Sequence, residues 1–160
     1  MPAVAINRAV LTPALELLPS RMDSIPARVM LLAIGLQESR LIHRRQIRGP
    51  ARGLWQFERG GGVRGVLNHA ASRDLAREVC EERRVRPTMD AVYVALEGDD
   101  ILAACFARLL LWTDPTPLPP VPHAPAAWSL YLRTWRPGKP HRHTWEELYR
   151  QAAAATEASA

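Results

Sequence analysis

The chain has 160 residues, 48% of them hydrophobic, and carries 21 basic against 16 acidic side chains for a net charge of +5. That length suits a single hydrophobic core, and the longest apolar run, residues 25–36, is too short to cross a bilayer, so neither a second domain nor a membrane span is expected. All the basic residues except Lys139 are arginine, and the excess points to an acidic partner: nucleic acid, anionic lipid or an anionic wall polymer.

Residues 1–20 read MPAVAINRAVLTPALELLPS, with Pro13 and Glu16 where a secretory core would be uninterrupted. No signal peptide is expected, and synthesis in a cytoplasm follows. Thr12 as cap and Pro13 at the first helical position predict a short helix that Pro19 and Ser20 close. Ser24 is expected to cap a second helix over residues 25–41. Ile25, Val29, Leu32, Ala33 and Leu36 form one apolar stripe, while Met30, Leu31 and Ile34 cover much of the remaining surface, so this helix belongs in the middle of the domain.

From residue 42 to 62 the helical pattern fails. Gly49, Pro50, Gly53 and the run Gly60, Gly61, Gly62 mark loops around a short LWQF segment expected to be extended. Helices are predicted again at 63–70, at 72–84 with Ser72 as cap, at 87–97 ending before Gly98, and at 99–112 with Asp99 as cap. Residues 114–125 form a proline-rich surface connector. A helix over 126–135, a turn at RPGKP and a capping box of Thr144 and Glu147 complete the chain. The expected architecture is a mainly α single domain, residues 1–160, of seven or eight short helices with a glycine-rich excursion. Cys80 and Cys105 match no metal or redox spacing and are expected as free, buried thiols.

The basic excess is concentrated: residues 21–86 hold 14 arginines against seven acids, whereas residues 87–127 hold Arg108 against five. Glu38 stands inside the basic segment, at the end of the buried helix. Burial and the negative end of the helix dipole both raise the pKa of a carboxyl there, and a carboxyl that keeps its proton near neutral pH can act as a general acid. The competing expectation is structural, an ion pair with Arg40, Arg44 or Arg45 that ties down the loop. Gly49, Gly53 and the triple glycine permit close approach of backbone to a ligand, and Trp55 with Gln56 pairs a stacking surface with a bifunctional amide, a combination suited to sugar rings. In an extended segment Glu58 would face the same side as Gln56, supplying the second carboxylate that glycosidic cleavage uses.

Glu38-Ser39 at the end of a buried helix, followed by GPARGLWQFE from Gly49 to Glu58, resembles the signature of goose-type lysozymes and soluble lytic transglycosylases, with Trp55 where methionine is usual. The match spans residues 30–58; LAACFARLL from Leu102 to Leu110 is weakly similar to a further transglycosylase segment, with Cys105 and Phe106 in place of its tyrosine and asparagine. The resemblance implies a lysozyme-like fold and cleavage of peptidoglycan between N-acetylmuramic acid and N-acetylglucosamine. It also implies Glu38 as general acid, Ser39 orienting it and lining the substrate site, and Gln56, Trp55 and Gly53 at the substrate. Glu58, at the position of an aspartate in goose-type lysozymes, implies hydrolysis by an activated water; a transglycosylase giving anhydro-muramic products is the alternative. The short basic domain looks like a phage endolysin, made in the host cytoplasm and acting on the wall as a monomer without metal or cofactor. The basic face would assist binding to anionic envelope polymers.

Trp128, Tyr131 and Trp135 recur at helical spacing and are expected in the core rather than at the site. His123, His141 and His143 lack an accompanying acid cluster and are expected in a solvated turn, not around a metal. His43 and His69 flank the loop as minor substrate-contact candidates, and Tyr93 fits a core face or a cleft hydroxyl. Two other functions remain open: a helical nucleic-acid-binding module, disfavoured because the arginines sit in a Gly/Pro loop rather than along a recognition helix, and a catalytically silent lysozyme-like protein.

Overall fold

The computed structural model describes residues 2–159, which are mainly helical. An N-terminal rod runs through α1 (Pro2–Ile6), a π turn (Asn7–Leu11) and α2 (Thr12–Glu16), and a 3₁₀ turn (Ser20–Met22) leads to α3 (Ile25–Ser39). After an irregular excursion come a second π turn (Arg59–Val63), α4 (Arg64–Asn68), α5 (Arg73–Glu82), α6 (Met89–Leu96), α7 (Asp100–Trp112), α8 (Ala124–Trp135) and α9 (Arg142–Ala158). The excursion contributes only isolated β-bridges, Arg45 to Arg52 and Arg52 to Phe57.

The centre is α3, capped as expected by Ser24, whose hydroxyl accepts from Ala27 N at 3.1 Å. Met30 to Leu36 are all buried, and α9 makes the most extensive contact with this helix. Each fully buried leucine or isoleucine contributes ~1.5–3 kcal/mol, which explains why a helix apolar on nearly every side has no stable place at a surface. Ile25 departs from the expected stripe: it sits in the first turn and is 64% exposed. α7 is a second core helix, with Leu102, Phe106 and Leu109 fully buried and Asp99 accepting from Leu102 N at 3.0 Å. Cys80 and Cys105 are free and buried within the same core.

Several helix starts fall elsewhere than the sequence signals place them. The first helical segment begins at Pro2, not at Thr12, and the wider π turn opens the hydrogen-bond ladder just ahead of Pro13, which cannot donate. Thr12 is therefore no cap; its hydroxyl accepts from Arg28 and donates to Asn7 O. The glycine run expected as loop lies in the second π turn; Ser72 does hold the cap position of α5, but its hydroxyl donates to Val66 O at 2.7 Å and not to the helix end. Thr144 lies inside α9, two residues past its start, donating to Gln37 Oε1 and His141 O. In each case a tertiary partner holds the hydroxyl that local pattern assigns to a helix end. The proline-rich segment crosses the surface without regular structure from residue 114 to 123, and its last two expected residues, Ala124 and Pro125, open α8.

Candidate active site

α3 ends abruptly at the residues that matter. Arg40 and Leu41 both adopt left-handed backbone, with φ of 58° and 55°, and their amides donate to Leu36 O at 3.0 Å and Gly35 O at 3.3 Å. Gly35 makes that reversal possible: a Cβ there would overlap the side chain of Leu41 and come within 3.3 Å of Trp55 Nε1. Glu38 is thereby held in the last helical turn, next to the point where the chain doubles back.

The reversal feeds a tight turn, not the extended segment expected for LWQF. Arg52 and Phe57 exchange two backbone hydrogen bonds of 2.9 Å, and Gly53 to Gln56 form the turn between them. Gly53, at φ 80°, packs its α-carbon face against Leu96 O, where a Cβ would stand 3.0 Å away, and its amide donates to Arg44 O at 2.7 Å. Gln56 takes a left-handed φ of 53°. Its amide nitrogen donates to Gly53 O at 2.9 Å and more weakly to His43 O, so Oε1 is the atom left to accept from a ligand.

Ser39 fastens this turn to the helix. Its hydroxyl donates to Leu54 O at 2.6 Å and accepts from Leu41 N at 3.1 Å, with Gly35 O a longer contact. It is buried and engages backbone on every side, so it positions the loop that carries Gln56 and does not itself face a substrate. Trp55 likewise departs from expectation. It is 1% exposed, with its indole N–H donating to Leu31 O at 2.8 Å, and belongs to the core. Gly53 shapes the turn from behind and does not line the cleft.

The opposite wall comes from α8. Tyr131 donates its hydroxyl to Glu38 Oε1 at 2.5 Å, Trp135 donates its indole N–H to Trp55 O at 2.9 Å, and the Trp135 ring meets Phe57 edge-on at 5.9 Å. Tyr131 is in turn stacked on Trp145 of α9 at 5.3 Å, with the ring planes 8° apart. Tyr131 is buried in the core, as its spacing predicts, whereas Trp128 and Trp135 are only half-buried against it, and Tyr131 and Trp135 also build the site. That second role has no local signal in the sequence, because the hydroxyl is aimed at a carboxyl 93 residues away.

Between the two walls lies an open cleft of about 520 Å³ that Glu38, Gln56, Glu58, Tyr131 and Trp135 all line. Arg136, Lys139 and His141 add a basic rim. Burial pushes the Glu38 carboxyl up to about 7, an effect partly offset by the Tyr131 hydrogen bond. The Tyr131 hydroxyl is driven well above its ordinary value by burial and by the neighbouring carboxyl, so it stays a donor. Of the three expected arginine partners of Glu38, Arg44 holds Asp100 through bonds of 2.8 and 2.7 Å, Arg45 holds Glu97 at 2.7 Å, and Arg40 is exposed past the helix end. Among the described residues Glu38 forms no ion pair.

Glu58, Trp135 and Arg136 also line a second hollow of about 540 Å³, which continues past Gly61 and His69. Tyr93 secures the excursion from outside, donating its hydroxyl to Pro50 O beneath the guanidinium of Arg52. His123 caps α8 through Nδ1, which accepts from Ala126 N at 3.2 Å. No helix among the described residues is long and apolar enough to cross a membrane. Comparison of the chain with protein-family models, with curated proteins and with solved structures gave no match.

Proposed function

We propose that this protein is a peptidoglycan-cleaving glycosidase, a muramidase of lysozyme-like type, with Glu38 as its general acid. One observation carries the reading: a largely buried carboxyl, raised to about 7 and without a cationic partner among the described residues, opens on a cleft beside an amide acceptor and an aromatic edge. A proton held there is available to the glycosidic oxygen of a bound strand, while the Tyr131 hydrogen bond steadies the carboxylate left after transfer. Trp135 offers an apolar edge to a sugar ring, and Gln56 Oε1 accepts from a hydroxyl or N-acetyl N–H. Glu58 lines the same cleft and supplies the carboxylate that would activate water in the hydrolytic route. Inversion requires the two carboxyls to stand roughly 6.5–9.5 Å apart around that water.

The resemblance of Glu38-Ser39 and GPARGLWQFE to goose-type lysozymes and lytic transglycosylases supports the same substrate, and the arginine-rich composition suits attachment to an anionic envelope after release from a host cytoplasm. Glu38→Gln should abolish clearing of cell-wall suspensions while leaving the fold intact; retained clearing by the folded variant rejects the proposal. Glu58→Gln separates the two chemistries. Loss of activity, with reducing-end products from the unaltered protein, assigns hydrolysis; retained activity with anhydro-muramic products assigns the transglycosylase reaction.

A further inference from the structure

A second polar site lies away from the Glu38 cleft and shares no lining residue with it. Arg108 projects from α7 and is only 3% exposed. Its Nε donates to Met22 O at 2.8 Å, but no carboxylate among the described residues pairs with the guanidinium. Asp23, the acid whose charge it feels, is held by Arg28 through two bonds of 2.9 Å. Among the described residues the two terminal nitrogens of Arg108 have no hydrogen-bond partner, and neither is sealed from solvent. Arg108 lines a hollow of about 570 Å³ bounded by the 3₁₀ turn, the start of α3, the end of α7 and the proline-rich segment.

Arg21 lines the same hollow, is exposed and has no ion-pair partner among the described residues. The guanidinium carbons of Arg21 and Arg108 each lie 5.5 Å from the ring centre of Trp112. Arg108 is desolvated without a paired carboxylate among the described residues, a cost that the Trp112 face offsets in part and a bound anion would relieve further. Asp114 also borders the hollow, but its carboxylate is occupied by Arg133 at 3.0 Å and by the Thr116 hydroxyl. Burial lowers the Arg108 pKa to about 10, so the side chain is still a cation at neutral pH.

We infer that this hollow is an anion-binding site for a phosphate group carried on an apolar or ring-shaped body. Two guanidiniums lining one hollow offer more charge and more donors than one carboxylate uses, and suit the several oxygens of a phosphate. Trp112, Leu118 and the flanking prolines provide the wall for the attached body, in a volume typical of small-molecule sites. The inference stands independently of the glycosidase proposal.

The test uses the full chain and inorganic phosphate at constant ionic strength, with the Arg108 Nε–Hε and Trp112 indole N–H resonances as reporters. The expected result is a saturable shift of both signals, weakened about tenfold or more in Arg21→Ala, the loss of one charge-assisted contact. Arg21 is exposed, so that variant should fold, and Arg86→Ala should bind as the unaltered protein does. A response that never saturates, or is equal in Arg21→Ala, overturns the inference. Sedimentation with phosphatidylglycerol and phosphatidylcholine vesicles then identifies the source. Selective, Arg21-dependent binding to the anionic vesicles points to a lipid headgroup, and phosphate binding without vesicle binding points to a soluble phosphate ester.

Discussion

Glu38 is balanced between burial, which favours its protonated form, and the Tyr131 hydroxyl, which favours the ionised one. Because the folded pKa lies near 7 and the ordinary value near 4.5, the folded state retains a proton that the unfolded chain has lost between those pH values. Stability therefore falls as pH rises through this window, by up to about 3 kcal/mol. Glu38→Gln keeps the acceptor for Tyr131 and removes the charge, so denaturant titration should find it more stable than the unaltered protein at pH 8 and nearly equal at pH 4. A Glu38→Gln variant less stable at pH 8 would contradict the burial account. In the glycosidase proposal the same proton drives cleavage, so activity should decline above about pH 7. Tyr131→Phe removes the contact that lowers the Glu38 pKa; the alkaline limb of the pH profile should move upward while the maximal rate drops, by ~10-fold or more. A limb that stays in place would show that the hydroxyl does not tune the acid.

At the level of elements, the site depends on the joint between α3 and the turn at Gly53 to Gln56. Ser39→Ala leaves the buried Leu54 carbonyl without its donor and should cost about 1–3 kcal/mol of stability. Activity should fall more than that loss explains, since the joint positions Gln56 without touching substrate; a variant with lowered stability but normal activity argues against a positioning role. Gly35→Ala should be worse than an ordinary helical Gly→Ala change because Leu41 must move from the core to admit the methyl group. Much of this joint was legible in advance. The apolar run, the cap at Ser24 and the carboxyl at the helix end all follow from local pattern. The shape of the turn did not: a left-handed Gln56 and a Trp55 buried against Leu31 result from packing between distant segments, and LWQF has no residue spacing that distinguishes such a turn from an extended strand.

Across the whole molecule, one continuous core runs from Ala3 to Ala155 and joins both cleft walls, with α3 against α9 and α8 against α9. The site walls should therefore melt with the fold rather than separately. Trp145, fully buried under Tyr131, is the shared support: Trp145→Ala should cost about 3–5 kcal/mol. Tryptophan fluorescence and far-UV circular dichroism should lose signal in a single coincident transition; two separated transitions would mean that the walls are held independently. The mainly α class was readable from helical periodicity and capping residues, whereas the roles of Tyr131 and Trp135 became visible only when α8 was docked, because helical spacing marks a buried face without saying what else that face meets. The most direct test of the account is mass spectrometry of fragments released from purified peptidoglycan by the protein and by Glu38→Gln. The account predicts muropeptides from glycan-strand cleavage with the unaltered protein and none with the folded variant; identical fragment profiles from the two, or no glycan cleavage by either, would contradict it.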